Sequence, residues 1–249
     1  GEILTISSDV ANAVGGDKKE CEFIGKVKLS TKSGLFTETE KMFVDLKKEI
    51  AFGDTEIAIF ADDTQMFSRK YFFDIKERIL TLSDDARGVF KFGKINADRL
   101  VIHFDDARKE KIKSAEAVGN SVCITRDYIL RAREIKYFAD KAQARGGVVL
   151  LYASKGNSCD IRSDDMDAEV KSGIPDNIRA NGSLTVKTKN ATIRGDKGVR
   201  NGDCMKVFGN VVISGERGNV LGNEAVLNMK TGDIVVKQSG GIVDDGIRE

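Results

Sequence analysis

The sequence predicts an all-β protein of short antiparallel strands, and its C-terminal third shows the pattern most clearly. Residues 205–237 read M-K-V-F-G-N-V-V-I-S-G-E-R-G-N-V-L-G-N-E-A-V-L-N-M-K-T-G-D-I-V-V-K. Apolar and polar residues alternate here, which is typical of strands with one buried face. Glycine-containing segments at 215–218 and 231–233 interrupt the alternation and indicate turns. The residues expected on the buried face are Met205, Val207, Val211, Ile213, Leu221, Ala225, Leu227 and Met229.

The same cassette occurs twice earlier in the chain without gaps. Counted from Gly209, a glutamate follows 15 residues later and apolar residues follow 18 and 25 residues later. Gly25 and Gly119 are followed at the same spacing, and a weaker fourth copy begins at Gly156. The spaced residues are Glu224, Leu227 and Ile234; Glu134, Tyr137 and Ala144; and Glu40, Phe43 and Ile50. This repetition predicts a β-repeat architecture in which neighbouring copies bury a continuous core.

The segments between the cassettes are also predicted as strands. Residues 66–82 allow a helical spacing, but their aromatic content and the alternating end at 79–82 favour strands. Residues 159–162 and 166–170 are expected to form a short hairpin. Asn-Gly pairs at 181–182 and 201–202 indicate type I′ turns.

A small residue followed by two polar residues also recurs within the strands. This motif indicates a bend that each rung of the repeat makes at the same corner. Its copies are Ala97-Asp98-Arg99-Leu100, Ala132-Arg133-Glu134-Ile135, Gly195-Asp196-Lys197-Gly198 and Gly222-Asn223-Glu224-Ala225.

Composition limits the classes of function. The chain has 249 residues, enough for one long β domain or two smaller ones. Its 40 basic and 39 acidic residues give no concentrated positive charge, so nucleic acid is not an expected partner. No stretch approaches the roughly 18 apolar residues of a membrane span.

The sequence offers no catalytic or metal-binding constellation, so we predict a protein that is not an enzyme and has no cofactor. Paired acids suit calcium or acid–base catalysis, but they are more typical of turns. The pairs are Asp62-Asp63, Asp84-Asp85, Asp105-Asp106, Asp164-Asp165 and Asp244-Asp245. His103 stands alone in an apolar strand and is expected to face outward. The four cysteines lack zinc spacing, and whether they pair stays open.

The apolar face itself is the main functional candidate. A bent ribbon directs a row of apolar side chains inward, and that row is either a closed core or an open trough for acyl chains. In a trough, each buried CH₂ would contribute about 0.8 kcal/mol. The bulky inward candidates Phe23, Phe43, Phe92, Phe104 and Tyr137 could fill the space, so both alternatives stand.

The motifs of this chain resemble the OstA-like lipopolysaccharide-transport bridge proteins LptA and LptC. The LptA-like segments are 94–100, 117–120, 209–213, 221–228 and 230–234. Residues from about 21 to 87 are similar to the second half of LptC, through the segments 25–29, 36–46, 53–57 and 71–82. The chain therefore looks like an LptC-type segment, residues 1–90, followed by an LptA-type segment, residues 91–249. One continuous roll through both segments is the other arrangement that fits.

The resemblance implies an open, twisted antiparallel β-jelly roll that carries the acyl chains of lipid A in its interior. It also implies a periplasmic location in a Gram-negative cell, with an inner-membrane anchor preceding the chain as in LptC. Its partners would be lipopolysaccharide and other Lpt bridge components, paired strand edge to strand edge, with end-to-end self-association as a further expectation. The expected lining residues are Phe43, Ile95, Leu100, Ile102, Phe104, Val122, Ile124, Ile135, Tyr137 and Leu227.

Two other hypotheses come from different classes of protein. A structural β-scaffold or filament would have the same strands around a closed core and no ligand. A carbohydrate-acting β-solenoid enzyme would need acids clustered on one face of successive rungs, whereas the acid pairs here stand at predicted turns.

Overall fold

Every element that the structure describes is a β-strand or a connection between strands. The computed structural model describes residues 4–14, 19–31, 34–61, 63–90, 93–105, 112–138, 140–154, 157–171, 174–216 and 218–237. The strands are β1 (Leu4–Ser7), β2 (Val10–Val14), β3 (Glu20–Thr31), β4 (Phe36–Asp45), β5 (Ile50–Gly53), β6 (Ile57–Ala61), β7 (Thr64–Ser68), β8 (Lys70–Asp74), β9 (Ile79–Phe90), β10 (Gly93–Phe104), β11 (Ile112–Thr125), β12 (Tyr128–Phe138), β13 (Lys141–Ser154), β14 (Asn157–Lys171), β15 (Ile174–Lys187), β16 (Ala191–Asn201), β17 (Cys204–Gly215), β18 (Gly218–Asn228) and β19 (Ile234–Lys237).

The all-β, antiparallel prediction is confirmed. Each strand pair whose register is described runs antiparallel. The segment at 66–82, which allowed two interpretations, forms β7, β8 and the start of β9. Within the described ranges, no helix is long and apolar enough to span a membrane. Predictions that fall on Asp62, Phe92, Asp106, Gly156 and residues 244–245 lie outside those ranges.

The chain divides into two compact units. Unit 1 comprises Gly1–Ser121 and Lys136–Ala139, and unit 2 comprises Val122–Ile135 and Asp140–Glu249. The predicted boundary at residue 90 separates two segments that resemble different proteins in sequence. It is a different kind of division from the two compact units, and it stays a prediction.

Unit 1 is built around two long strands, β4 and β9, with a split layer between them. One half of β4 pairs with β5 and the other half pairs with β6. Likewise, β9 pairs with β8 over one half and with β7 over the other. On one side of the corner β5 pairs with β8, and on the other side β6 pairs with β7. We call these two halves of the paired strands the arms of unit 1.

Unit 2 is a meander in which each strand from β13 to β19 pairs with the next. The long strands bend in the middle, where the register shifts. These mid-strand shifts lie between Arg145 and Val148, Arg162 and Asp165, Asn181 and Leu184, Arg194 and Lys197, and Phe208 and Val211, and β14 has a further shift between Asp167 and Glu169. Each bend is a bulge that separates the strand into two arms.

The three cassette glycines adopt the same backbone conformation. Gly25, Gly119 and Gly209 each have φ of 75°, and the residue after each also has positive φ. An aspartate from a neighbouring segment lies over each glycine, at the place where a Cβ would be: Asp9, Asp98 and Asp196 respectively. Only glycine fits both the left-handed backbone and the close carboxylate.

In two of the three cassettes, the cassette glycine and a copy of the corner motif form one feature. The aspartates of Ala97-Asp98-Arg99 and Gly195-Asp196-Lys197 stand at register shifts and meet the glycine of the next strand. In the latter copy, the Asn210 side-chain amide donates a hydrogen bond to Asp196 Oδ2 at 2.9 Å. In the former, Asn120 donates to Asp98 Oδ2 at 3.1 Å.

Some predicted turns are bends inside strands. Asn181-Gly182 lies within β15, where Gly182 and Ser183 have positive φ and form a bulge, so the prediction of a type I′ hairpin there is wrong. The expected hairpin at 159–170 is the single bent strand β14. A two-residue turn does join β16 and β17, but its loop residues are Gly202 and Asp203, and only Gly202 has positive φ.

Two of the five predicted acid pairs also lie inside strands. Asp84 and Asp85 have φ of 63° and 65° within β9, and Asp164 and Asp165 lie within β14. They shape corners of the strands, where the prediction expected connecting turns. Aspartate suits both settings because it tolerates the left-handed conformation.

Candidate functional site: the apolar interior

In unit 1, the two arms of the rungs enclose an apolar interior that is almost completely filled. The remaining cavity has a volume of about 10 Å³. This volume is at the lower limit for one water molecule. The lining residues come from both arms and are Leu29, Leu35, Thr37, Met42, Ala51, Ile57, Ile59, Tyr71, Phe73, Leu80 and Phe104.

Polar groups at the corner hold the two arms of unit 1 together. The Tyr71 hydroxyl donates to the Lys41 carbonyl at 2.8 Å, and burial raises the pKa of this phenol. The Thr39 hydroxyl lies 2.9 Å from the Thr55 hydroxyl and donates to the Glu56 carbonyl at 2.8 Å. Nearby, Thr37 Oγ1 is buried and finds no hydrogen-bond partner among the described residues.

The interior of unit 2 is also apolar and slightly roomier. Its cavity has a volume of about 40 Å³. Both arms contribute to the lining, which consists of Tyr128, Leu130, Ala142, Gln143, Ala144, Leu150, Met166, Asp167, Ala168, Pro175 and Ile178. Neither interior, as it stands, is wide enough to hold several acyl chains.

At one end of its strands, unit 2 carries a much larger space, which we call the hairpin groove. Its volume is about 660 Å³. The groove is lined by Ile124, Thr125, Arg126, Asp127, Tyr128, Ile129, Leu151, Tyr152, Ser158, Cys159, Asp160, Lys187, Thr188 and Lys189. Tyr128 also lines the interior cavity, so the groove adjoins the apolar core.

Burial raises the pKa values of a thiol and a phenol that line the hairpin groove and of a second thiol nearby. It raises the pKa of the Cys159 thiol to about 11, and it also raises the pKa of the Tyr128 phenol. Cys123, on the strand before Tyr128, has its pKa raised to about 11 by the same cause. An ordinary thiol or phenol is already uncharged near pH 7, and burial keeps these three groups uncharged to higher pH.

The two arms of unit 2 meet through side chains near this groove. Tyr152 lies close to the end of β13, and Arg200 lies close to the far end of β16. The guanidinium carbon of Arg200 is 4.3 Å from the centroid of the Tyr152 ring. We call this contact the seam contact, because β13 and β16 are not paired strands.

The structure brings most of the predicted lining residues to the inward face. Leu100, Ile102, Phe104, Ile135 and Leu227 are buried. Ile95 and Tyr137 are half-buried, and alternation along β10 and β12 places them on the same face as the buried residues.

Three predicted lining residues lie on the opposite face. Phe43 alternates with the buried residues Met42 and Val44 and so points outward. Val122 and Ile124 alternate with the buried Ser121 in the same way, and Ile124 is 40% exposed.

The spacing of the repeat shows that these three residues face outward. The inward residues Val211 and Ile213 follow Gly209 by two and four positions. The same count from Gly119 gives Ser121 and Cys123, so Val122 and Ile124 lie on the other face. Inward Ala225 follows Gly209 by 16 positions, but inward Met42 follows Gly25 by 17. The first cassette has a longer β3–β4 connection, so its alternation slips by one residue.

Phe43 belongs to an aromatic surface on the outside of unit 1. Its ring stacks on Phe52 with centroids 5.4 Å apart, and Phe72 pairs with Phe52 on the next strand. Lys41 Nζ lies 4.6 Å from the Phe43 centroid and 2.9 Å from Glu22 Oε1.

The structure gives no sign of a metal centre in the part of the chain that it describes. No group of three or more His, Cys, Asp or Glu side chains there is arranged to hold an ion. His103 is half-buried between the inward Ile102 and Phe104 and faces outward, as predicted.

Comparison with protein families finds a match to the first part of the chain. Residues 2–91 match the family described as lipopolysaccharide-assembly, LptC-related. The matched residues contain β1 to β9, which contribute to both arms of unit 1.

Comparison with solved structures finds LptH, the LptA homologous periplasmic component of the conserved lipopolysaccharide transport device from Pseudomonas aeruginosa. The two chains share 11% sequence identity with a TM-score of 0.36, over 62% of this chain and 87% of that one. Comparison with curated proteins finds no match.

Proposed function

We propose that this chain is a periplasmic bridge module that binds lipopolysaccharide and passes it towards the outer membrane. The observation that carries the proposal is an apolar interior, enclosed between two arms, within an LptC-related segment. Residues 1–90 would form the LptC-type part and residues 91–249 an LptA-type part. No chemistry is required, because burial of acyl chains is non-directional.

Binding requires the arms to separate. A cavity of about 10 Å³ in unit 1 or about 40 Å³ in unit 2 describes the empty, closed state. In unit 2, the seam contact is a side-chain contact, so parting the arms there breaks no hydrogen bond between paired strands. Ten buried methylenes would contribute about 8 kcal/mol, from which the cost of opening is subtracted.

Terminal strands provide a way to join neighbouring modules. The last strand, β19, pairs with β18 over four residues, and among the described residues its other edge has no partner strand. Such an edge presents free backbone groups that can pair with another chain. Other Lpt components, or a second copy of this chain, would extend the roll in this way.

The proposal is tested by photo-crosslinking to purified lipopolysaccharide. A photoreactive residue replaces Tyr137, which faces inward, or Leu151, which lines the hairpin groove. The matched control replaces Lys230, which is exposed at the turn before β19. Lipid adducts at Tyr137 and Leu151, and none at Lys230, are the expected result.

The closed packing of unit 1 favours one competing function, a structural β-scaffold that holds no ligand. A scaffold would give no lipid adduct at Tyr137 or at Leu151, while its stability would be unchanged by lipopolysaccharide. That outcome would remove the transport proposal.

A further inference from the structure

Two hairpin turns that border the hairpin groove have the same construction. In the β11–β12 turn, Thr125 Oγ1 accepts hydrogen bonds from the amides of Asp127 and Tyr128, at 3.3 and 3.1 Å. It also donates to the Tyr128 carbonyl at 3.3 Å. The threonine side chain therefore fixes the conformation of the residues that follow it.

The β15–β16 turn repeats this arrangement. Thr188 Oγ1 accepts from the amides of Asn190 and Ala191, at 3.4 and 3.1 Å, and donates to the Ala191 carbonyl at 3.1 Å. In both turns, the residue directly after the threonine is basic: Arg126 in one and Lys189 in the other.

The basic residues give the groove a positive rim. Arg126, Lys187 and Lys189 are exposed and line the groove, and none forms an ion pair with another described residue. Two acidic side chains, Asp127 and Asp160, also line the groove. Asp160 already forms an ion pair, because its Oδ2 lies 2.8 Å from Arg162 Nη2.

The floor of the groove has the opposite character. Ile124, Ile129 and Leu151 contribute apolar surface, and Cys159 beside them is a buried, uncharged thiol. A positive rim over an apolar floor fits a ligand that combines an anionic head with an acyl chain. Phosphate is the anion best suited to several convergent Lys and Arg side chains.

We propose that the hairpin groove binds the phosphate-bearing headgroup of an acylated lipid. Arg126, Lys187 and Lys189 contact the phosphate, while the first methylenes of an acyl chain lie on Ile124 and Leu151. The two threonine-fixed turns hold their backbones in place before the ligand arrives, which lowers the ordering cost of binding. This inference rests on the proposed lipid-binding function and specifies which part of the lipid the groove recognises.

The test compares two lipids and two triple variants of the full chain. The lipids are purified lipid A and the same lipid after its phosphates are removed by phosphatase. One variant carries R126Q, K187Q and K189Q in the groove. The matched control carries R179Q, R194Q and K206Q, which remove the same charge from exposed strand positions of unit 2.

The groove variant should bind intact lipid A about 10- to 100-fold more weakly than the unmodified chain, because charge-assisted contacts are lost. It should bind the dephosphorylated lipid as the unmodified chain does, and the control variant should bind both lipids normally. An equal loss for both lipids, or no loss for either, would overturn the headgroup site while leaving lipid binding intact.

Inorganic phosphate distinguishes the two sources of the anion. Competition by phosphate as tight as that of intact lipid A would make the groove a site for free phosphate and overturn the lipid assignment. If the unmodified chain binds neither lipid, the proposed function itself fails, and that result differs from every outcome above.

Discussion

The guanidinium group of Arg200 packs on the ring of Tyr152, although their strands are separated in the sheet by β14 and β15. Their separation of 4.3 Å therefore reports a contact across the fold between the two arms of unit 2. Arg200 is anchored nearby, because its Nε donates to the Gly202 carbonyl at 3.1 Å. A cation–π contact contributes about 0.5–2 kcal/mol, much less than the summed ladder of a long strand pair.

The seam contact should resist opening of the unit 2 interior. We expect R200A to lower the free energy of unfolding by at most about 2 kcal/mol and to increase the binding of a fluorescent fatty acid. R194A, an exposed arginine on the same strand, is the control and should change neither quantity. Urea unfolding and a fluorescence titration measure the two effects. Unchanged fatty-acid binding in R200A would show that the arms do not part at this contact.

The glycine–aspartate corners should be essential to the strand bends. In G209A, the new methyl group would collide with Asp196 in a left-handed backbone conformation, so we expect a loss of about 2–4 kcal/mol in unfolding free energy. G232A separates the two causes, because Gly232 has φ of 81° but nothing within 4 Å of a new Cβ. It should cost only about 1–2 kcal/mol.

A second variant checks the collision directly. Removing the aspartate side chain in the double variant G209A/D196A should recover part of the stability that G209A loses. If urea unfolding shows that G209A and G232A lose the same stability, backbone strain alone would explain why glycine is needed at position 209.

The repeat made the corners predictable from the sequence, but the faces beyond a corner were harder to assign. Each bend shifts the alternation, as between Gly222 and Glu224 in β18, where the register with β17 changes. Leu221, before that bend, is 39% exposed, whereas Leu227, after it, is fully buried. The prediction that both lie on the buried face is wrong for Leu221.

The hairpin groove could not be read from one stretch of sequence. Its lining comes from turns more than 60 residues apart, at Thr125 and Thr188, which become neighbours only when the meander is folded. A sequence signal does exist, since both turns have threonine followed by a basic residue. This signal indicates a shared site only when the fold is known, because the repeat brings the two turns to the same end of the strands.

Leu227 and Leu221 form a matched pair for testing the corrected faces of β18. L227A should destabilise the protein by about 2–5 kcal/mol, because it leaves a cavity beside Met205, its partner in the register. L221A should change stability by less than about 1 kcal/mol, since much of this side chain is already in water. Similar losses in both variants, measured by urea unfolding, would contradict the assignment.

The four cysteines should differ strongly in reactivity towards a maleimide. A thiol with a pKa of about 11, as in Cys159 and Cys123, is ionised in roughly one molecule per thousand at pH 8, against about a quarter for an ordinary thiol. Cys204 is exposed, and mass spectrometry should find it labelled first.

A folded-state pKa above the unfolded value also means that the stability gained from the neutral thiols is present below about pH 8.5 and is lost as the pH rises towards 11. Labelling of Cys159 should therefore accelerate steeply in that range, and bound lipid in the adjoining groove should slow it. Rapid labelling of Cys159 at pH 7, with or without lipid, would show that the groove floor is open to water.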